Sequence, residues 1–378
     1  MNNTMLRYSP LFILLLSAFI LLSGCNNLYR AKVSNHNPPV AEEYCINGSL
    51  VSPAWVYKLI QYHEKGSVSQ APLEYDYARD HKYLIFETSW GPVEKATQYK
   101  AGHVPGAIHS NSDIYENGDP RWFLLPDAEI FDTMKRMGIT ADTTVIVYSA
   151  DPIFAARLWW ILKYAGLEDV RILDGGYEKW IADGYTGETT INYPSAAAVD
   201  YTGPVKSEFI ATIDYAAARF TDTGNYILAD VRDEKEYKGF TAGYDYLIEK
   251  GRIPNSIWFY PVGGKNDQYF NSHNTHKPLD DILSMWEKLG VTDGRLPNTF
   301  NKEIIFYCGG GYRSAAAFFY AYLMGYTNVR NLSDGWAGWS TSYTYDLSAD
   351  CTGGVNGTKH SAWPSDYCQK PSGRITEP

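Results

Sequence analysis

The sequence predicts an α/β protein built from two similar units, each a mainly parallel sheet flanked by helices. Three observations carry that prediction. Short apolar runs of strand length alternate with stretches of helix length, the order that gives βαβ units and a sheet covered on both faces. At 378 residues the chain is longer than one ordinary domain. It also repeats itself. Val145-Ile146-Val147-Tyr148 matches Ile304-Ile305-Phe306-Tyr307 at an offset of 159 positions, and in the same frame Ala156 meets Ala315, Gly166 meets Gly325, Val170 meets Val329, Leu173 meets Leu332, Gly176 meets Gly335 and Trp180 meets Trp339.

The elements follow in chain order. Arg7 precedes an apolar run, Leu11 to Leu22, of about 12 residues, which is too short to span a bilayer and reads as a targeting segment over 1–24. It ends in Leu22-Ser23-Gly24-Cys25, which resembles a bacterial lipobox, so Cys25 is the expected lipidation site and the protein is expected in the cell envelope on a lipid anchor. Asn26 and Asn27 follow, with no aspartate beside Cys25, a pattern that in a Gram-negative cell resembles cargo of the outer membrane facing the periplasm. Residues 25–49, with Asn35-His36-Asn37-Pro38-Pro39 at their centre, read as a polar tether.

The first unit spans 50–188 and the second 206–345. Two more matches tie their N-terminal halves together: Tyr83-Leu84-Ile85-Phe86-Glu87 with Tyr226-Ile227-Leu228-Ala229-Asp230 at an offset of 143, and Gly102 to Ala107 with Gly251 to Ser256 at 149. A stretch rich in Thr, Ser, Ala and Pro makes 189–205 the linker, and 346–378 is an irregular tail. Cys351 and Cys368 lie in that tail and can form a disulfide in an oxidising compartment. Cys45 is then an odd thiol, unless it pairs with Cys351 or Cys368 instead.

Composition is globular, with 45% hydrophobic and 20% charged residues, and the formal charge of −10 speaks against nucleic acid and against polybasic binding to anionic lipid. Trp159-Trp160 and Phe318-Phe319-Tyr320 occupy matched helices and read as core. His273 and His276 lie in a polar insertion without cysteine or carboxylate at ligand spacing, so a solvated loop is expected there and no metal. No nucleotide-binding fingerprint is present, and no cofactor is called for.

Chemistry concentrates at Cys308. It ends the apolar run Glu303 to Tyr307 and opens Gly309-Gly310-Gly311-Tyr312-Arg313-Ser314, after which a helical stretch begins. Strand, cysteine, glycine-rich loop and helix is an arrangement that rings a thiolate with backbone N–H groups at a helix N-terminus, where a thiol pKa falls and anions bind. Arg313 adds a fixed positive charge. In the first unit Ser149 stands where Cys308 stands, Ala150-Asp151-Pro152 replace the glycines, Phe154 stands opposite Arg313 and Ser89 opposite Arg232. Pro152 lacks the N–H that an anion cradle needs. The first unit is therefore expected to be structural or interface-forming.

These residues together resemble the rhodanese (sulfurtransferase) family in its tandem two-domain form. Leu228-Ala229-Asp230-Val231-Arg232 with Glu236-Tyr237, Arg252-Ile253-Pro254-Asn255-Ser256, the loop Cys308 to Arg313, and Asp334-Gly335-Trp336 with Trp339 resemble the family's motifs in order. Gly102-His103-Val104-Pro105-Gly106-Ala107 and Leu173-Asp174-Gly175-Gly176 do the same in the first unit. The resemblance implies two rhodanese-like domains, the first inactive and the second catalytic. It implies transfer of a sulfane sulfur from thiosulfate or 3-mercaptopyruvate through a Cys308 persulfide to cyanide or a thiol. Arg313, Arg232, Gly309, Gly310, Gly311, Tyr312 and Ser314 are then the candidate substrate-binding residues, with Arg313 on the donor's sulfonate end and Arg232 either beside the loop or in a structural ion pair. Cys308-Gly309-Gly310-Gly311 partly resembles the loop of mercaptopyruvate-using members, and the Tyr312-Arg313-Ser314 ending resembles that of thiosulfate-type members. Arg313, which suits a compact dianion, tips the resemblance toward thiosulfate as donor.

Two alternatives are a non-catalytic binding protein on this scaffold and a carrier that passes sulfur to a partner protein. A phosphatase fits less well. Four residues separate Cys308 from Arg313, one fewer than a phosphate-sized ring takes, and Tyr307 precedes the cysteine where histidine often stands.

Overall fold

The computed structural model describes residues 43–65, 82–117, 122–264, 267–289 and 300–342. The lipobox-like segment with Cys25, the tether up to residue 42 and the tail with Cys351 and Cys368 lie outside the described residues.

Two sheets form, one per unit. In the first, β1 (Cys45–Ile46), β2 (Leu50–Val51), β3 (Tyr83–Ser89), β4 (Ile108–Asn111), β5 (Thr144–Tyr148) and β6 (Val170–Leu173) lie in the order β1-β2-β6-β5-β3-β4. Only the β1–β2 pair is antiparallel. In the second, β7 (Ile210–Ala211), β8 (Tyr226–Asp230), β9 (Ile257–Trp258), β10 (Glu303–Tyr307) and β11 (Val329–Leu332) lie in the order β7-β11-β10-β8-β9, all parallel. The core triplets β3-β5-β6 and β8-β10-β11 have the same layout, which is the sequence repeat made visible. β5 and β10 are buried throughout, as central strands covered on both faces must be, and this is why they read as unbroken apolar runs.

Each central strand feeds a helix, Pro152–Tyr164 in the first unit and Tyr312–Leu323 in the second. Both helices are apolar on nearly all sides, which a helix with one solvent face does not need. They pack against each other: the Trp159 ring lies 4.6 Å from Phe319 and 5.0 Å from Tyr322, centroid to centroid. The aromatic residues expected in the core are fully buried, and part of that core is a seam between the units. Phe154 and Tyr312, in the first turns of the two helices, lie 5.2 Å apart, so the two strand-to-helix loops face each other across that seam.

Two expectations need correcting here. The tether does not run to residue 49, because Cys45 and Ile46 pair with Val51 and Leu50 and extend the first sheet. Cys45 is not an odd thiol either. It is disulfide-bonded, and its partner lies outside the described residues. The linker is strapped down: Asn192 Nδ2 donates to the Ala107 carbonyl at 3.0 Å, Ala197 N–H to Lys135, and the Tyr201 ring is buried. No helix among the described residues is long and apolar enough to cross a membrane.

Candidate active site

β10 delivers Cys308 to the C-terminal edge of the second sheet, between β8 and β11, where open parallel sheets bind ligands. The chain must then reverse into the helix at Tyr312 within three residues. Gly311 makes the turn with φ +87°, and a Cβ there would meet the Ser333 carbonyl oxygen and lie 2.5 Å from Arg157 Nη1, so only glycine fits. Gly309 is needed for another reason: a Cβ would fall inside the Tyr244 ring, which closes over the loop. At Gly310 the nearest atom to such a Cβ is the Tyr246 hydroxyl at 3.8 Å, so that position is the least constrained of the three.

The loop's carbonyls are tied from behind. Trp336 N–H donates to the Cys308 carbonyl at 2.7 Å and Ala337 N–H to Gly309 at 2.9 Å, both from the start of helix Gly335–Ser342. Position 335 has to be glycine, because a Cβ there would lie 2.5 Å from the Cys308 carbonyl oxygen, and the arrangement leaves the loop N–H groups for the sulfur. Cys308 Sγ receives N–H groups from Gly310 and Ser314, with the Ser314 hydroxyl at 3.5 Å. Burial pushes the Cys308 thiol up. The Arg313 charge, the Ser314 hydroxyl and these N–H groups more than offset burial, and the thiol is held below its ordinary value. Ser314 Oγ also lies 2.7 Å from Asn331 Oδ1, and Asn331 Nδ2 donates to the Gly311 carbonyl at 3.1 Å. The one Ser314 hydroxyl proton can therefore face Asn331 while sulfur is a thiol and turn to sulfur when it is a thiolate.

Arg313 is not an open fork. Its two terminal nitrogens donate to Glu236 at 2.7 and 2.8 Å, and Nη2 also donates to the Tyr244 hydroxyl oxygen at 2.5 Å. Glu236 is fixed in turn by the capping box it makes with Asp233 at the start of helix Glu234–Tyr237. Arg313 thus brings its charge to Cys308 through its own side of a buried pair, rather than standing ready to clamp a sulfonate.

Of the two readings of Arg232, the structure takes the ion pair, which corrects its place among substrate-binding residues. Its Nε and Nη2 donate to the two Asp230 carboxylate oxygens at 2.9 and 2.7 Å, Nη2 also donates to the Gly251 carbonyl, and the side chain is fully buried. Tyr312 is also taken. Its hydroxyl donates to Glu116 of the first unit at 2.8 Å instead of facing a substrate. Gly309, Gly310, Gly311 and Ser314 do surround Cys308.

The corresponding place in the first unit is closed by residues of both units. Asp151 turns its carboxylate onto the N–H of Ile153 at 3.2 Å, so the helix N-terminus that would hold an anion already holds one. The polar insertion covers the rest: Asn274 Nδ2 donates to the Ala150 carbonyl at 2.8 Å, and His276 bonds Asp174 through its backbone N–H and ring Nδ1, each at 2.8 Å. The solvated loop expected at His273 and His276 is therefore a plug. His276 is buried in it, and only His273 stays exposed. No group of three His, Cys, Asp or Glu side chains among the described residues could hold a metal ion.

Sequence reading missed Tyr244, Asn331, Glu116 and Arg157. Asn331 stands one residue before the matched Leu332 and could have been questioned as a polar residue inside a strand. The other three carry no local signal, since their partners are distant in the chain.

A strand-ending cysteine in a glycine loop, duplicated with one copy disarmed, defines a tandem thiolate-loop α/β protein. The match to family models places it: residues 80–183 and 212–342 each match the rhodanese-like domain, and the chain belongs to the rhodanese family. Among curated proteins it is 31% identical over 295 residues to the thiosulfate sulfurtransferase YnjE of Escherichia coli, covering 77% of this chain and 63% of that one. It is 31% identical over 281 residues to the sulfur carrier protein TtuD of Thermus thermophilus, covering 70% and 90%. Among solved structures it is similar to EanB with a cysteine persulfide and ergothioneine, at TM-score 0.68 and 28% identity, over 78% of this chain and 69% of that one.

Proposed function

We propose that the protein is a sulfurtransferase that carries a sulfane sulfur as a persulfide on Cys308. The observation that carries this reading is the thiolate cradle: a cysteine held below its ordinary pKa by Arg313, Ser314 and loop N–H groups. The relatives' names, thiosulfate sulfurtransferase and sulfur carrier protein, support it.

With thiosulfate as donor, the Cys308 thiolate attacks the outer sulfur and a new S–S bond forms. The S–S bond within thiosulfate breaks, and its electron pair leaves with sulfite. The persulfide carries one negative charge, as the thiolate did, so the same N–H groups serve both states. Cyanide or a thiolate then attacks the outer sulfur and returns the Cys308 thiolate. The Arg313 charge, the Ser314 hydroxyl and the loop N–H groups favour the thiolate by lowering the Cys308 thiol below its ordinary value. Arg313, bound to Glu236, acts on sulfur through its charge.

Mass spectrometry after thiosulfate treatment tests the reading. The expected result is a gain of one sulfur atom on the Cys308 peptide, released by cyanide and absent in Cys308→Ser. A protein that gains no sulfur and yet hydrolyses aryl phosphates would instead support the phosphatase alternative. We also read Cys25 as the lipid attachment point in the envelope, on the Leu22 to Cys25 motif alone. Fatty-acid labelling that persists in Cys25→Ser would refute that.

A further inference from the structure

Three consecutive glycines give a loop no side chains of its own to fix it, and glycine loses more freedom on ordering than any other residue. The order of this loop has to come from outside it. Tyr244, Asn331 and the N–H groups of Trp336 and Ala337 supply restraints from the second unit. A further one comes from the inactive unit across the seam.

Arg157, on helix Pro152–Tyr164, is almost fully buried. Its Nε and Nη2 donate to Glu116 Oε1 at 3.1 and 2.9 Å. The second Glu116 oxygen accepts the Tyr312 hydroxyl at 2.8 Å, and the Arg157 guanidinium lies 5.3 Å from the centroid of the Tyr312 ring. The ring is further held by Phe154 at 5.2 Å and Trp90 at 6.2 Å, both from the first unit. Arg157 Nη1 makes no hydrogen bond among the described residues, and it lies against Gly311 on the side where a Cβ would be.

As a stabilising device this is a poor choice. Burying a carboxylate and a guanidinium costs more than an apolar pair of similar volume, and the orphaned Nη1 adds to that cost. The pair is better explained by what it holds. Tyr312 and Gly311 begin the helical turn whose Ser314 N–H and hydroxyl reach Cys308.

We propose that Arg157 and Glu116 of the inactive unit are positioning residues for the sulfur-transfer loop of the other unit, acting through Tyr312 and Gly311. The unit that has lost its own nucleophile completes the geometry of its neighbour's. This deepens the sulfurtransferase reading and rests on Cys308 as its nucleophile.

The test compares wild type, R157M, R157K and Y312F in the full-length protein. One readout is the rate of Cys308 alkylation by iodoacetamide from about pH 5 to about pH 9, which reports thiolate formation without any sulfur donor. The other is kcat and KM for sulfur transfer from thiosulfate to cyanide. In R157M the alkylation midpoint is expected to rise by about one pH unit, with kcat down about tenfold and KM little changed. R157K, which keeps the charge but not the fork, recovers part of both, and Y312F shifts both in the same direction by less. A folded R157M with the wild-type midpoint and kcat overturns the proposal and leaves Arg157 as interface cement. If R157M does not fold, Y312F decides: a wild-type profile there overturns the proposal as well. A wild-type protein that transfers no sulfur, beside an R157M whose alkylation midpoint is shifted, would count against the sulfurtransferase reading and leave the positioning role standing.

Discussion

The two units share a scaffold and differ in what stands at the end of the central strand. In the second, Cys308 faces N–H groups and an arginine. In the first, Ser149 sits beside a helix N-terminus already occupied by Asp151, under a plug formed by Asn274 and His276. The difference extends one layer down. Asp230 in β8 is matched by Glu87 in β3, and each carboxylate needs a buried cation. The active unit uses Arg232 for this. The inactive unit, with serine at the matching position, takes His109 from β4, whose Nδ1 lies 2.7 Å from Glu87 and whose Nε2 lies 2.9 Å from the Gly91 carbonyl. The lesson is that losing the chemistry did not empty the site. His109 takes over the pairing that Arg232 serves in the other unit, and the Asp151 carboxylate occupies the helix N-terminus.

The largest effect that would break this comparison is on stability. Asp230→Ala leaves Arg232 buried without its partner, and a loss of about 3–5 kcal/mol is expected in urea unfolding. A loss below about 1 kcal/mol, the size of a surface pair, would mean that the pair is solvated in solution.

A smaller effect sharpens the contrast by pH. Burial pushes His109 down, but its hydrogen bonds to Glu87 and Gly91 and the Glu87 charge more than offset this, so it is raised from its ordinary value. Both ring nitrogens face acceptors, which calls for the doubly protonated ring. A raised folded-state pKa gives stability that is fully present below the unfolded value, about 6.5, and is lost as pH rises through the higher folded value. Thermal stability should therefore fall as pH rises from about 6.5 through the higher folded-state value, and His109→Gln should flatten that slope. The Arg232 pair should show no such dependence, since arginine stays charged throughout. An unchanged slope in His109→Gln would assign the dependence elsewhere.

How much of this was legible beforehand follows from distance along the chain. The Cys308 loop was readable because strand, cysteine, glycines and helix are contiguous. The repeat was readable because one constant offset runs through the helix cores. Arg232 was readable only to an even choice between two roles, since its partner Asp230 stands two residues away whether the side chain faces the loop or the interior. Glu116, Arg157, Tyr244 and the plug at His276 were not readable. Each acts through a partner many residues away, and periodicity carries no information about which surfaces meet. The polar composition of the insertion suggested solvent, but its polar groups are spent on the carbonyl of Ala150 and the carboxylate of Asp174.

The central claim is that one scaffold holds an armed and a disarmed copy of the same loop, and that surroundings as well as the nucleophile decide which is which. Sulfur mapping of a Ser149→Cys variant after thiosulfate treatment tests it most directly. The expected result is one added sulfur on the Cys308 peptide and none at position 149, because Asp151 and the 271–276 plug leave no anion site there. Sulfur at position 149, or none at Cys308, would contradict the account.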